Sequence, residues 1–533
     1  MFSTIDSGAV CGLQAYLVRV EVDLAGGLPS FQMVGSLGSE VRESRERVCV
    51  AMKNSGFQIP PCHITVNLAP AGRRKDGTAF DLPIAVGLLK DMELLTEEAV
   101  RDTLFLGELG LNGEIKRVKG VLPIVREAAD KGIGRVIVPR ENALEAAVIP
   151  GITVWGVGEL GELIMALLHP DAENEKIYKP RIRAEELLQK KKADRRGDFK
   201  EVSGQESARR GAMIAAAGFH NLLMMGPPGV GKSMIAGRIP GILPSLTLEE
   251  SLEVTSIYSV AGLLTPEQAL ITERPFYAPH HTVTAAALIG GGNAYPRPGM
   301  VSLAHRGVLF LDELPEFQRT VLDSMRQPLE ERRVQIARAS GVVTFPSDFM
   351  LVAAMNPCPC GYYPDRNKCR CTQPQIEKYL GKVSGPLLDR IDLCVELQPV
   401  DILHLQTKIT GESSEQMRER IERARKMQEK RYAGTEYRFN GDVSSADVDH
   451  YCSLGETEKN VMEQLYHTLE LSARAYHRIL KTARTIADLE EQENIAKEHL
   501  LEAACYRPSG EYWGSAFWMP SDCLRYEWLR PPV

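Results

Sequence analysis

Three textures follow one another along the chain. Up to about residue 170, short apolar, β-branched runs (ITVNLAP, RVIVP, ITVWGV) alternate with stretches such as GVLPIVREAADKG, whose apolar positions recur at helical spacing. This pattern predicts a compact α+β or α/β unit. From about 200 to 400, NLLMM, GVLF and FMLVAAMN read as buried strands, each followed by a polar or glycine-rich loop, and MIAGRI reads as a helix. Beyond about 410 the chain turns helical. SSEQMRERIERARKMQEK is densely charged, and LSARAYHRILKTARTIADLE repeats apolar residues every three or four positions. Between the first two textures lies KIYKPRIRAEELLQKKKADRRGDFK, with ten Lys or Arg from Lys176 to Lys200. It predicts a solvated linker helix; a nucleic-acid contact is the alternative.

The expected division is a first unit over 1–170, a basic linker over 171–200, a nucleotide-binding core over 201–400, a helical unit over 410–510 and a tail over 511–533. The tail carries Trp513, Trp518 and Trp528 and fits no clear element; the tryptophans would pack on the protein or offer a stacking platform for bases. A chain of 533 residues is too long for one hydrophobic core, which agrees with several domains.

Composition narrows the class. With 44% hydrophobic and 25% charged residues the chain reads as an ordinary globular protein. Its net charge of −7 means that any contact with nucleic acid comes from local patches. The opening MFSTIDSGAVCGLQAYLVRV carries Asp6 and no long apolar core, and no run of about 18 apolar residues occurs, so a cytoplasmic protein without a membrane span is expected. Eleven cysteines then read as reduced thiols rather than a disulfide framework.

The chemistry concentrates between 226 and 390. GPPGVGKS comprises Gly226, Pro227, Pro228, Gly229, Val230, Gly231, Lys232 and Ser233, and fits G-x-x-x-x-G-K-[ST] between a strand and a helix. Its glycines let backbone N–H groups face phosphate oxygens at a helix N-terminus. Lys232 would reach the β- and γ-phosphates of ATP, and Ser233 would ligate Mg²⁺. GVLFLDELPEF is an apolar strand delivering Asp312 and Glu313 to its C-terminal end, Asp312 to hold Mg²⁺ and Glu313 to orient and activate the attacking water. FMLVAAMN ends in Asn356, whose amide would sense the γ-phosphate or hold the water. SGPLLDRID presents Arg390, which at a subunit boundary would stabilise transition-state charge in the next protomer's site, an effect of about 10³-fold or more. In LSARAYHRIL, Arg474 or Arg478 would close over the nucleotide, an ordinary helix-surface arginine being the alternative.

Cys358, Cys360, Cys369 and Cys371 form two close pairs with eight residues between them. Four thiolates bind Zn²⁺ tetrahedrally, yet the common pair has two to four residues between ligands and here there is one, so a structural zinc and four reduced thiols both stand. RPFYAPHHTVTAAALIGGGNAYPRPG is too long for a plain connection and predicts a loop around a short helix, with His280 and His281 in polar loop roles. RRVQIARASGVVTFPSDFMLV reads as a β-hairpin turning near Gly341, with Arg332, Arg333 and Arg338 on or beside it.

Taken in order, GQESARRGAMIAAAGFHNLLMMGPPGVGKS, RPFYAPHHTVTAAALIGGG, PRPGMVSLAHRGVLFLDELPEF, AAMNPCPCGYY and GPLLDRID resemble the AAA+ ATPases of the magnesium-chelatase-like branch, specifically the YifB/ComM group, over nearly the whole chain. The resemblance implies an α/β multidomain protein: a ribosomal-S5-like, Lon-protease-like α+β N-terminal domain, an AAA+ P-loop core and a helical C-terminal lid. It also implies a homo-oligomeric ring, a hexamer, with ATP at subunit interfaces, Arg390 as arginine finger and Arg474 as sensor-2 arginine. In Lon-type proteases a Ser follows K-D-G-P and a Lys follows V-L-P-I-G-G-L. RRKDGTAFDLPIA and GVLPIVREAAD place Ala79 and Ala128 there, and alanine supplies neither nucleophile nor base. In related ring helicases, inserts such as the hairpin line a pore and grip DNA, where Arg332, Arg333 and Arg338 would hold phosphates; a solvated hairpin is the alternative. The resemblance implies an ATP-driven DNA translocase promoting branch migration in recombination or transformation. The competing reading is a chelatase-type motor remodelling a partner for metal insertion, opposed by the Lon-like domain and the missing D-x-S-x-S site. A protease is opposed by Ala79 and Ala128.

Overall fold

Alternation of apolar and polar residues decides the first sheet. In the strand Gln14–Ala25, Val18, Val20 and Val22 are fully buried while Arg19 between them is exposed, as a half-covered strand requires. The computed structural model describes residues 2–169, 175–189, 197–292, 296–338, 341–399 and 411–507. Phe2–Cys11 pairs antiparallel with Gln14–Ala25 from Phe2↔Asp23 to Cys11↔Gln14 across a two-residue turn whose first residue, Gly12, sits at φ 64. The full seven-stranded mixed sheet runs Ser30–Val34, His63–Ala69, Gln14–Ala25, Phe2–Cys11, Thr103–Phe105, Arg135–Pro139, Thr153–Val157. Helix Asp81–Asp91, buried from Asp81 through Leu89, and helix Val121–Asp130 cover it. The runs ITVNLAP, RVIVP and ITVWGV thus form strands and GVLPIVREAADKG a helix, as their periods predict.

The basic stretch after this sheet departs from a single solvated helix. Its described part opens by extending the sheet edge: Tyr178 and Gly156 exchange backbone hydrogen bonds of 2.9 and 2.7 Å, and Ile177 is buried. The helix is short, Ala184–Gln189, with Ala184 buried in the same cluster as Leu122. Lys190, Lys191, Lys192, Arg195 and Arg196 lie outside the described residues, as does the tail with its three tryptophans.

The second sheet is entirely parallel and has five strands in the order Phe276–Tyr277, Val308–Leu311, Met350–Met355, Leu222–Met225, Leu393–Glu396. Strands buried on both faces read as continuous apolar runs, which is why LLMM, VLFL and MLVAAM carry no polar residue. A mixed α/β protein with a parallel P-loop core of AAA+ type is the result. The helices Ser414–Arg431 and Ala473–Leu489 share one apolar cluster with a face of this sheet, through Met417, Ile421, Ile479 and Ala483 beside Leu222, Met224 and Val352. Polar groups fix that junction. Arg431 grips the buried Asp488 at 2.6 and 2.8 Å, Gln428 donates to Ala217 O at 3.0 Å, and His220 meets Thr485 Oγ1 at 2.8 Å.

The two sheets are joined by helix Leu248–Ala261, which packs on helix Val121–Asp130. Glu145, buried among apolar side chains, accepts from Leu122 N at 3.1 Å and from the Ser259 hydroxyl, while Gly120 N donates to Ser259 O at 3.1 Å. Among the described residues no helix is long and apolar enough to cross a membrane.

His220 makes acid stability testable. Complete burial holds its pKa at about 4, below the ordinary 6.5. The unfolded chain therefore binds more protons between these values, so the contribution of the neutral ring is full above about pH 6.5 and is lost as pH falls toward 4. Thermal melts are expected to show Tm falling across that window in the native chain and falling less steeply in His220→Gln.

Candidate nucleotide site

Parallel pairing sets the heights at which the strands end. Leu222 and Phe310 both register with Val352, and Met225 with Met355. Gly226 and Asn356 therefore leave the sheet at one level, and Asp312 and Glu313 leave the next strand within two residues of it, roughly 7 Å along the strand axis. The P-loop strand lies between Met350–Met355 and Leu393–Glu396, where the strand order reverses; in open parallel sheets this is where ligands bind, beyond the carboxyl ends.

The loop's shape follows from its glycines. A side chain at Gly226 would begin 2.5 Å from Leu397 O, and Gly229 and Gly231 hold φ values of 80 and 92, the left-handed region that disfavours other residues. Gly231 caps helix Lys232–Ile242, so Lys232 and Ser233 open its first turn. Lys232 Nζ donates to Gly226 O, Pro227 O and Asn356 Oδ1 at 2.7, 2.9 and 3.0 Å. Burial lowers its pKa, with Asp312 and Glu313 pulling the other way. Ser233 Oγ donates to Asp312 Oδ2 at 2.7 Å. Hydroxyl and carboxylate, both hard oxygen donors, thus stand side by side, a donor set that fits Mg²⁺. Asp312 Oδ1 accepts from Glu313 N at 2.9 Å, and Glu313 itself sits at φ 52, unusual for a residue with a Cβ. Its carboxylate is exposed and lies 3.5 Å from His281 Nδ1. Five of the predicted residues, Lys232, Ser233, Asp312, Glu313 and Asn356, are brought together at one edge.

Arg390 and Arg474 are grouped elsewhere. Arg390 follows the short helix Gly385–Leu388, with its guanidinium on Glu330 and Pro386 O, and its Nε has no hydrogen-bond partner among the described residues. Arg474 and Arg478 lie 3.8 and 3.6 Å from Asp389, the residue before Arg390, and Arg478 also donates to Ile391 O at 2.6 Å. All three arginines line a cavity of about 1500 Å³ between the two sheets and the C-terminal helices, and no P-loop residue lines it. Arg474 thus stands with Arg390 and not over the P-loop of its own chain.

The hairpin forms as its alternation predicts, Arg333–Arg338 against Gly341–Pro346 with Arg338↔Gly341 nearest the turn. Its arginines differ. Arg332 bonds Asp442 at 2.8 Å and lies 3.7 Å from Asp348, which ties it to the helical region. Arg333, beside Glu331, and Arg338, on Gly292 O, are exposed. The preceding insert holds the expected short helix, Ala285–Ile289. The four cysteines converge in the loop after Asn356. Ala79 and Ala128 sit in one apolar cluster, so no acyl-transfer dyad forms there.

Sequence pattern missed two residues. His281 lies in a loop with no periodic signal, and the pairing of Phe276–Tyr277 with Val308–Leu309, which puts both strand exits on the same edge, brings it to Glu313. Asn221 precedes NLLMM and gives no periodic signal. Its Oδ1 accepts from Leu351 N at 2.8 Å, its Nδ2 donates to Arg390 O at 2.7 Å, and its backbone O accepts from Asp392 N and Leu393 N at 3.0 Å.

Comparison with known proteins shows the family. The family described as magnesium chelatase, subunit ChlI, matches residues 198–405; two further descriptions, subunit ChlI of Mg-chelatase and the subunit ChlI C-terminal region, match 20–142 and 411–507. Competence protein ComM of Haemophilus influenzae is 41% identical over 508 residues, covering 94% of this chain and 96% of that protein. YifB of Escherichia coli is 41% identical over 507 residues, covering 95% and 97%. DNA repair protein RadA of Streptococcus pyogenes is 39% identical over 100 residues, 18% of this chain and 21% of its own length. The chain belongs to the YifB/ComM family of magnesium-chelatase-like proteins of AAA+ type.

Asn221→Ala removes the acceptor for Leu351 N and the donor to Arg390 O. It is expected to lower stability by about 1–3 kcal/mol in urea titration, with nucleotide affinity, set by the P-loop, changing by less than about 3-fold.

Proposed function

We propose that this chain is a Mg²⁺-dependent ATPase subunit of a homo-oligomeric ring, a hexamer, that translocates on DNA and promotes branch migration in recombination or transformation. One observation carries the reading: Lys232, Ser233, Asp312, Glu313 and Asn356 meet at one sheet edge, while Arg390, Arg474 and Arg478 stand together on a different wall. A complete hydrolytic site then needs the arginines of a neighbouring copy. The unpartnered Arg390 Nε and Arg478 Nε support this, because buried guanidinium donors call for an acceptor.

Within a protomer, the P-loop amides and Lys232 would bind the β- and γ-phosphates. Ser233 and Asp312 would hold Mg²⁺, which when bound neutralises charge on those oxygens. Glu313 would orient the attacking water and Asn356 would fix Lys232. From the neighbour, Arg390 would meet charge developing on the transferred phosphoryl group, with Arg474 beside it. Arg333 and Arg338 on the exposed hairpin would hold DNA phosphates, giving sequence-independent, salt-dependent binding. Arg332, already tied to Asp442, would position the hairpin instead. The name of the relative ComM, a competence protein, supports DNA as the substrate. The N-terminal unit, Lon-like by resemblance, would serve as a docking element without protease activity. The alternative, a chelatase-type motor, has the family name in its favour and separates in the same experiment, since its hydrolysis would not respond to DNA.

ATP hydrolysis is expected to rise with single-stranded or branched DNA and to vanish in Lys232→Ala and Arg390→Ala taken singly. Mixing those two variants in equal amounts should restore about a quarter of native interfaces, since half of the P-loops are intact and half of their neighbours supply the arginine. No recovery on mixing, or a rate indifferent to every DNA, rejects the reading. His281→Ala, which frees the Glu313 carboxylate, is expected to raise hydrolysis without DNA and reduce the fold-stimulation by DNA, with nucleotide affinity unchanged.

A further inference from the structure

The loop between the strand ending at Met355 and the helix starting at Gln373 contains no helix or strand of its own, yet lies directly on the nucleotide site. Loops of this length inside a compact domain are uncommon unless something pins them. Here the turn at Asp365, whose backbone O accepts from Cys369 N at 2.7 Å, folds the second cysteine pair back onto the first. The four Sγ atoms all lie within 4.8 Å of one another, with Cys358–Cys360, Cys358–Cys369 and Cys360–Cys369 at 3.3, 3.7 and 3.6 Å. Thiolates at about 2.3 Å from a tetrahedral Zn²⁺ stand about 3.8 Å apart. A disulfide needs about 2.0 Å. The separations match ligands around an ion and not a covalent bond.

We infer that Cys358, Cys360, Cys369 and Cys371 bind one Zn²⁺ ion, and that the loop it closes braces the P-loop. The close C-x-C spacing is compensated by the fold: each pair supplies one edge of the tetrahedron, and the turn at Asp365 brings the edges together. The site's surroundings suit it. Tyr363 N donates to Cys358 Sγ at 3.4 Å, the kind of outer contact that orients a thiolate. Four thiolates around Zn²⁺ leave a net charge of −2, and Arg366, bonded to Cys371 O at 3.2 Å, and the nearby Lys368 and Arg370 offset it. The bracing runs through two contacts. Gly361, at φ 85, lies so close that a Cβ there would stand 2.6 Å from Pro228 Cδ. Asn356, which accepts from Lys232 Nζ, is two residues before the first ligand. Metal binding would therefore be felt as order in the P-loop.

Elemental analysis of the intact chain, purified in reductant without chelator, is expected to give one zinc per chain, retained in Cys452→Ser and lost in Cys369→Ser. If Cys369→Ser does not fold, titration of the native chain with a mercurial should release the zinc in step with four thiols, and reconstitution with Co²⁺ should give the absorption of a tetrahedral thiolate site. Chain without metal and without a cobalt spectrum, or with iron in place of zinc, overturns the zinc assignment. The bracing is read separately, by nucleotide binding to chelator-treated protein whose far-ultraviolet dichroism is unchanged. A fluorescent ATP analogue should bind at least about 3-fold more weakly; equal affinity after zinc loss overturns the bracing.

Discussion

The hydrogen bonds from Lys232 to Asn356 and from Ser233 to Asp312 close over the ends of three parallel strands, and the architecture is arranged so that they can form. Lys232 and Ser233 follow one apolar run, Asp312 a second and Asn356 a third, and the common register of the sheet brings the three strand ends close in height. A slip of one residue in any strand would move its terminal group by about 3.3 Å and turn alternate side chains to the other face. Wholly apolar strands carry no alternation to select a register, so close packing and the polar residues at the strand ends hold the alignment that sets these groups side by side.

Asn221 shows how the same sheet extends its reach. At the opposite end from the P-loop it holds the entries of two neighbouring strands and the carbonyl of Arg390. One face of the sheet also shares its apolar cluster with the C-terminal helices, with His220 and Gln428 fastening that junction to the P-loop strand and its preceding helix. Buried polar groups cost free energy unless satisfied, so their bonds define one orientation of helices on sheet. These contacts join the P-loop strand to the backbone of Arg390 at one end and to the C-terminal helices on one face.

Much of this was legible in sequence, for identifiable reasons. LLMM, VLFL and MLVAAM are too apolar for anything but buried strands, and the polar residues that end them stand out against that background. The hairpin was legible because Val334 and Ile336 alternate with Gln335. Other features depend on neighbours distant in sequence. Nothing around Arg332 reveals that Asp442, more than a hundred residues later, accepts from it; the three arginines near the hairpin look alike until that contact separates them. The basic stretch reads as a solvated helix because charge dominates its composition, but Ile177 and Ala184 are buried and Ile182, Leu187 and Leu188 pack beside the same cluster as Ala184, so its few apolar residues hold it to the first unit. His281 and Asn221 carry no periodicity, so only the topology shows where they stand.

The arginines also differ in how readily they could change partner. Arg332 is bound to an Asp442 whose side chain is only 3% exposed, and breaking that pair would leave a buried charge, a cost of about 3–5 kcal/mol. Arg390, itself 14% exposed, rests on Glu330, whose side chain is 54% exposed, so parting this pair returns the carboxylate to water and strands no buried acid. A phosphate presented by a neighbouring copy would outcompete such a carboxylate, because it offers more acceptor oxygens and would satisfy the idle Nε as well. By this criterion Arg332 is fixed framework and Arg390 is loosely parked, which is the behaviour the proposed exchange of partners would need.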